Sequence, residues 1–392
     1  KREMFGPTEA QIPCILVSCM ADGKSGRDRT TPIFGGAADV KIFNYSRPLL
    51  VWFPGVFVML LMYCMAQYSW ENRGEIDKVT DALTPFAENG LSIWKMLMYV
   101  IHQRKCQFSI LFAESLEERA IIANFNANES LFSTIYLSAV IMTGVVMVLN
   151  PLFVTFLLYV RTGEIQLFAP YFFDYTQPWG CVTLSLWTVI NNYFVIFASC
   201  ALDTLYSWFV VNLVAQLRIL QLRLRNAGSL KNTNDLERSV RECIRFHQKI
   251  ISLAIEVDHT FRPIIFVQFS VSCMQLCLLA FQIVKGSPKE NIMYFLTFFA
   301  AVSTQMVIYC FGGQMVQNES LNVAENIYKS FPWQHLPARA KKLLLITMLR
   351  AQKCCTITGI FFVVDLSLFL WVFKTASSYL TMLWTLKKNA SN

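Results

Sequence analysis

Apolar residues fall in stretches long enough to cross a lipid bilayer, with polar segments between them. A spanning helix needs about 20 mainly apolar residues. Such stretches lie at residues 48–68, 131–159, 180–214, 263–284, 292–316 and 356–386. A more polar stretch at residues 80–101 contains Pro85, Glu88 and Asn89. Counted with the others, it predicts an all-α integral membrane protein with seven transmembrane helices.

Basic residues predict how these helices are oriented. Lys and Arg cluster in the N-terminal segment and after the second, fourth and sixth stretches. On the opposite side we find only Arg73, Lys78, Arg161, Lys285 and Lys289. By the positive-inside rule, the N-terminus is cytosolic and the C-terminus is extracellular. The net charge of +8 therefore reflects membrane topology, and we expect no nucleic-acid partner.

Several helices are expected to extend beyond the membrane on the cytosolic side. From Trp179 to Arg225 the chain contains no proline, so one helix could run about 65 Å. Apolar residues recur at helical spacing within 236–254 and again within 338–353. This pattern predicts a cytosolic anchor layer of helices that pack against each other and against neighbouring subunits. Helices lying on the membrane surface are the alternative.

These boundaries divide the chain into four parts. They are a cytosolic N-terminal segment (1–47), six transmembrane helices with their cytosolic extensions (48–316), a cytosolic anchor segment (317–355), and a seventh helix with an extracellular tail (356–392).

One face of the last helix is polar. At about 100° per residue, a group of hydroxyl and amine side chains falls within roughly 80° of arc. The members of this polar stripe are Ser367, Lys374, Ser378, Thr381, Thr385 and Lys388. Such a stripe faces either an aqueous pore or partner helices, and the pattern alone leaves both interpretations open.

Only 15% of the residues are charged, against about 25% in soluble domains, which agrees with an integral membrane protein.

The chain lacks the residue groups that enzymes and metalloproteins need. The four histidines are scattered, and adjacent Cys354 and Cys355 lack the spacing of a zinc site. We expect no catalytic activity, cofactor or metal. Asp365 is the acid that we single out within the predicted spans.

The C-terminal region carries a recognisable motif. It reads Gln352-Lys353, Thr356-x-Thr358-Gly359, Leu366-Ser367-Leu368-Phe369 and Lys374-Thr375-Ala376-x-Ser378-Tyr379-x-Thr381-x-Leu383. This motif resembles the C-terminal region of insect odorant receptors, and the topology is similar from about Arg47 onward. Two positions depart from the usual pattern: Cys354 stands where proline is common, and Ser377 where an aromatic residue is common.

The resemblance implies an odorant-gated, non-selective cation channel of four subunits in the plasma membrane of a sensory neuron. The loop from Arg218 to Arg262 lacks the long insertion of co-receptors, which indicates an odorant-tuned subunit that forms a heterotetramer with the odorant co-receptor. In this family the last helix lines the pore. That role falls here on Lys374, Ser378, Thr381, Met382, Thr385 and Leu386, with Met382 and Leu386 as the apolar gate.

The resemblance also implies a ligand pocket in the outer half of the bundle. The residues that fit it by depth are Phe86, Asn150, Phe153, Trp187, Asn191, Phe194, Tyr294 and Phe298. Such a pocket would hold a small volatile organic ligand mainly by dispersion and burial of apolar area.

Two other receptor classes remain as alternatives. An insect gustatory receptor shares the topology, but its tail usually has Thr-Tyr, five apolar residues and Gln-Phe, where this chain has Ser378-Tyr379 followed by Thr385-Leu386. A G-protein-coupled receptor would require the opposite orientation. It would also need an acidic-Arg-aromatic triplet after the third helix, where this chain has Tyr159-Val160-Arg161.

Overall fold

The computed structural model describes residues 49–74, 76–102, 115–162, 178–230, 232–284 and 289–390. The predicted N-terminal segment, 1–47, lies outside these residues. The described residues form α1 (Leu49–Glu71), α2 (Ile76–His102), α3 (Leu116–Thr162), α4 (Pro178–Gly228), α5 (Thr233–Val284), α6 (Lys289–Ser330), α7 (Ala338–Gln352) and α8 (Leu366–Ala390). The predicted all-α architecture is confirmed.

Each predicted span overlaps one long helix, and α7 is the additional short one. Within the described residues, α3, α4, α5 and α6 are long and apolar enough to cross a membrane. The helix α4 has 51 residues, which corresponds to about 75 Å. This length is about two and a half times the hydrocarbon thickness of a bilayer. The predicted long helix is confirmed, and its extension on the cytosolic side stays a prediction.

A large part of the buried core lies in these extensions and in the helical turns that lead into them. On α4, Leu213, Leu217, Leu220 and Leu224 are buried at alternating spacings of four and three residues, which is the seam of a helix packed lengthwise against others. Their counterparts on α5, α6 and α7 are Val240, Ile250, Val316, Val323, Ile327 and Leu344. We call this layer the helical base. Its helices pack against each other, as the stripe in 236–254 predicts.

The last helix begins later than predicted, at Leu366 and not at residue 356. A narrow antiparallel turn precedes it, in which the Val364 N–H donates to the Ile357 carbonyl at 2.9 Å. Asp365 Oδ1 then accepts a hydrogen bond from the Leu368 N–H at 2.7 Å. Because the first N–H groups of a helix lack partners within it, Asp365 caps α8. The sequence analysis counted Asp365 within the last predicted span, whereas the structure places it at the start of the helix.

The turn is fastened to α5 and α6, and we call residues 354–365 the latch. Asp258 Oδ1 on α5 accepts hydrogen bonds from the Thr358 N–H at 2.7 Å and the Thr358 hydroxyl at 2.8 Å. Arg262 Nε donates to the same hydroxyl at 3.1 Å. The Cys355 N–H donates to Ser320 Oγ on α6 at 3.0 Å. Burial raises the pKa of the Cys355 thiol, so this side chain stays a neutral thiol.

Gly313 allows the latch to approach α6 closely. A Cβ atom at this position would lie 2.0 Å from the Val364 carbonyl oxygen. We therefore expect Gly313→Ala to displace the latch and to lower stability by about 1–3 kcal/mol, as overpacking does. The thermal midpoint of detergent-solubilised protein, followed by fluorescence-detected size-exclusion chromatography, measures the change.

Gly55→Ala is the matched control for Gly313→Ala. Gly55 is also helical, but nothing lies within 4 Å of its Cβ position. Replacing an unhindered helical glycine with alanine is neutral or stabilises by up to about 1 kcal/mol. Equal thermal midpoints for the two variants would show that the latch does not depend on close contact at Gly313.

Candidate functional site

A buried carboxylate on α4 connects four helices near the middle of the bundle. Asp203 is 1% exposed. Its Oδ1 accepts hydrogen bonds from Lys95 Nζ on α2 at 2.7 Å and from the Tyr309 hydroxyl on α6 at 2.6 Å. Its Oδ2 accepts from the Tyr136 hydroxyl on α3 at 2.7 Å and from Gln305 Nε2 on α6. We call these five residues the polar core.

The polar core also reaches α5. None of its five residues has an unpaired buried side-chain atom, whereas Gln268 Oε1 beside it has no partner within the described residues. Lys95 Nζ donates additionally to Ser199 Oγ at 3.1 Å. Gln305 Oε1 accepts from Gln268 Nε2 on α5 at 2.8 Å. Charges at this depth are tolerated when they are paired and hydrogen-bonded. From the sequence we singled out Asp365 and not Asp203, although Lys95 and Asp203 in separate predicted spans are a detectable sign of an internal pair.

Several residues of the predicted ligand pocket lie on one side of the polar core, toward the N-terminal ends of α4 and α6. Asn191 is 2% exposed, and its Nδ2 donates to Asn89 Oδ1 of α2 at 3.3 Å. Phe298 is buried, and its ring stands edge-on to that of Tyr294 with 6.2 Å between centroids. We call this region, with Phe86, the chamber, after the ligand pocket that the sequence predicts here.

The other predicted pocket residues differ in how far they are buried. Trp187 and Phe194 are half-buried on α4. Phe153 on α3 is 57% exposed, so the chain does not enclose it with the buried aromatic residues. The side chain of Asn150 lies outside the described part of the chain. A role in ligand contact stays a prediction for the whole set.

The helix α8 packs against α5 and α6 and leaves its polar stripe uncovered. Val372 and Ala376 are buried, and Ala376 points about 200° around the helix from Ser378. Lys374, Ser378, Thr381 and Thr385 are exposed. Met382, beside the stripe, is 57% exposed, while the side chain of Leu386 lies outside the described part. The predicted pore surface is thus free for contact with water or other subunits.

The hydroxyl groups of the stripe bond to their own helix. The donors Ser378, Thr381 and Thr385 reach backbone carbonyls of α8 at 3.0, 2.8 and 2.8 Å. Their oxygen lone pairs remain available as acceptors. Within the described residues, the stripe therefore does not serve to attach α8 to a neighbouring helix of the same chain.

Comparison with known proteins decides the family. A family model described as 7tm Odorant receptor matches residues 75–377, which include the polar core, the chamber, the latch and the first half of α8. The chain belongs to the odorant receptor family. This membership favours the odorant receptor interpretation over the gustatory receptor and G-protein-coupled receptor alternatives, and it is not an enzyme family.

Its relatives among odorant receptors are distant in sequence but matched along most of their length. Odorant receptor 45a of Drosophila melanogaster is 26% identical over 372 residues, covering 90% of this chain and 97% of the relative. Odorant receptor 9a of the same species is 26% identical over 351 residues, covering 86% and 89%.

A solved structure shares the fold of this odorant receptor. The insect olfactory receptor OR5 from Machilis hrabei, in complex with eugenol, superposes with a TM-score of 0.76 at 14% identity. The match covers 96% of this chain and 97% of that chain. The helical architecture described above is therefore that of an insect olfactory receptor.

The polar core makes a testable prediction about stability. Lys95→Met leaves the Asp203 carboxylate buried without its cation, which typically costs about 3–5 kcal/mol. The double variant Lys95→Met with Asp203→Asn removes both charges, so we expect it to recover part of that loss. Thermal midpoints of the solubilised single and double variants measure the coupling between the two charges.

The exposed pair Lys329–Glu325, with side chains 69% and 57% exposed, provides the control. Lys329→Met should change stability by about 1 kcal/mol or less, because surface ion pairs contribute little. If Lys95→Met is as mild as Lys329→Met, the polar core does not hold the bundle together.

Proposed function

We propose that this odorant receptor is the odorant-tuned subunit of a ligand-gated, non-selective cation channel. It assembles with odorant co-receptor subunits as a heterotetramer in the plasma membrane of a sensory neuron, with its N-terminus in the cytosol. The observation that carries the proposal is the uncovered polar stripe of α8. A spanning helix with such a face requires water or other subunits beside it.

The side chains on the exposed part of α8 suit a gated pore. The acceptor oxygens of Ser378, Thr381 and Thr385 offer polar contacts to a passing hydrated cation. Met382 and Leu386 border the stripe as apolar side chains, and an apolar constriction closes a pore by excluding water. We assign the gate to Met382 and Leu386 and the polar ring between them to Thr385.

The ligand is a small volatile organic molecule that binds in the chamber. The family relative from Machilis hrabei was solved with eugenol bound, which supports a ligand of this size class. In this chain the rings of Phe86, Tyr294 and Phe298 supply apolar contact area, and Asn191 supplies a polar contact. Most binding free energy would come from the burial of apolar surface.

The latch offers a mechanical connection between the chamber and the pore. The helix α6 carries Phe298 in the chamber and Gly313 and Ser320 against the latch. The helix α5 holds the latch through Asp258. Since the latch leads directly into α8, a ligand-induced shift of α5 or α6 displaces the base of the pore helix. This is the route by which odorant binding opens the pore.

Co-expression tests the assembly. In oocytes, this chain alone should give little or no odorant-evoked current, and addition of an odorant co-receptor should produce a cation current. The co-receptor expressed alone, with the same panel of volatiles, is the control for odorant specificity. A large odorant-evoked current from this chain without a partner would contradict its role as an obligate tuned subunit.

Substitutions on α8 test the pore. Met382→Ser should raise the resting current because a polar side chain lets the constriction fill with water. Thr385→Ala should change relative cation permeability without changing odorant preference. Phe298→Ala in the chamber should have the opposite effect, altering odorant preference with unchanged permeability. The recordings use co-receptor-containing channels whose surface expression is measured.

Met293→Ser provides a matched control for Met382→Ser. Met293 on α6 is 61% exposed, similar to Met382, but it does not lie on α8. It should leave the resting current unchanged. Unaltered resting current and permeability in the α8 variants would show that the stripe is a packing surface.

A further inference from the structure

Four buried polar atoms around the chamber have no hydrogen-bond partner within the described part of the chain. They are Ser92 Oγ, Trp187 Nε1, Asn191 Oδ1 and Gln275 Oε1. Ser92 and Asn191 are each 2% exposed, and Gln275 is fully buried. Buried polar atoms are nearly always paired, because an unpaired one loses its hydration without compensation. A cluster of four therefore requires an explanation.

Three of the four side chains lie at one turn of α2, at residues 88–92. Gln275 Nε2 of α5 donates to Glu88 Oε2 at 3.0 Å. Asn191 Nδ2 donates to Asn89 Oδ1. Ser92 lies one helical turn from these two residues on α2, and Trp187 lies one turn from Asn191 on α4. We call Ser92, Trp187, Asn191 and Gln275 the polar wall of the chamber.

The neighbouring polar core shows what a completed network in this bundle looks like. Asp203, about one turn farther along α4 than Ser199, accepts four hydrogen bonds from side chains of the same chain. In the polar wall, each amide that bonds within the chain leaves its own oxygen unpaired. Within the described residues, no group completes the polar wall.

We propose that the polar wall binds the hydroxyl group of an odorant, so that this subunit prefers volatile alcohols and phenols to molecules of the same size without a hydroxyl. This inference rests on the proposed odorant-binding function. The Trp187 indole N–H is a donor, the Asn191 and Gln275 oxygens are acceptors, and the Ser92 hydroxyl serves as either. Among hydroxyl, ether and ketone groups, only the hydroxyl group both donates and accepts.

The same chemistry disfavours other volatiles. An ether or ketone accepts from Trp187 but offers no proton to Asn191 or Gln275. A hydrocarbon satisfies none of the four atoms. A carboxylate would bring a second carboxyl group close to Glu88, whose Oε2 already accepts from Gln275. Sites with buried polar groups discriminate strongly against ligands that leave those groups unpaired.

The test compares volatiles matched in their number of non-hydrogen atoms. One set is 1-octanol, heptyl methyl ether and nonane, and an aromatic set is 2-phenylethanol, benzyl methyl ether and propylbenzene. Half-maximal concentrations are recorded from this chain co-expressed with an odorant co-receptor. The alcohol should act at a concentration about tenfold lower than its ether, and lower still than its hydrocarbon, as expected for one or two buried hydrogen bonds.

Trp187→Phe and Ser92→Ala probe the wall with little risk to folding, because each removes a polar atom that makes no bond within the described chain. Both should raise the half-maximal concentration of the alcohols by about tenfold and leave that of the hydrocarbons nearly unchanged. Trp208→Phe is the matched control. Trp208 lies on the same helix, about 31 Å farther along, and its substitution should leave the alcohol preference intact.

The outcomes separate this inference from the channel function. The hydroxyl preference would be overturned if alcohol, ether and hydrocarbon gave equal responses and Trp187→Phe did not alter them. Water would then be the group that pairs with the polar wall. The proposed channel function would not be affected by this result. If surface-expressed channels with the co-receptor give no odorant-dependent current to these or any other volatiles, the proposed function itself is wrong.

Discussion

The Asp203 carboxylate is the constraint around which the membrane part of this receptor is arranged. Inside a bilayer, helices gain little from the hydrophobic effect when they associate, so polar contacts and close packing determine their register. Asp203 accepts bonds from α2, α3 and α6 at once. A shift of any one of these helices by a turn would leave a charge or a hydroxyl group unpaired. The chamber lies on one side of this point and the helical base on the other.

The spacing of apolar residues predicts the helical architecture. It does not predict which polar side chains form hydrogen bonds with each other. The helix through residue 225 and the buried positions Leu236 and Val240 follow directly from apolar spacing. Lys95 was overlooked because it lies in the most polar of the predicted spans. Tyr136 and Tyr309 lie far apart in the sequence, and nothing local indicates that both reach Asp203. The angular positions of residues along α8 predict the polar stripe, and its role in lining a pore stays a prediction.

The start of α8 shows why an apolar run is an incomplete guide to a helix. Residues 356–364 are apolar enough to continue the span, yet they form the latch. Gly359 and Asp365 were the local indications of a turn and a cap. The contacts that hold this turn come from Asp258 and Ser320, far away in sequence. Hydrogen bonds to residues far away in the sequence thus determine the structure here, and not local hydropathy. Thr358, which belongs to the C-terminal motif, makes two of these bonds.

The hydroxyl groups of α8 bond only within that helix, and this affects the energy that a small odorant would have to supply to open the proposed channel. Ser378, Thr381 and Thr385 donate only to carbonyls of their own helix. Turning α8 about its axis therefore breaks none of these bonds, and a rotation of some tens of degrees exchanges Met382 for a hydroxyl oxygen at the same height. A ligand of about ten non-hydrogen atoms can supply only several kcal/mol. In the proposed channel, such a ligand would work against the packing of Val372 and Ala376 and against the bonds of the latch, but not against the hydroxyl bonds of the stripe, which turn with the helix.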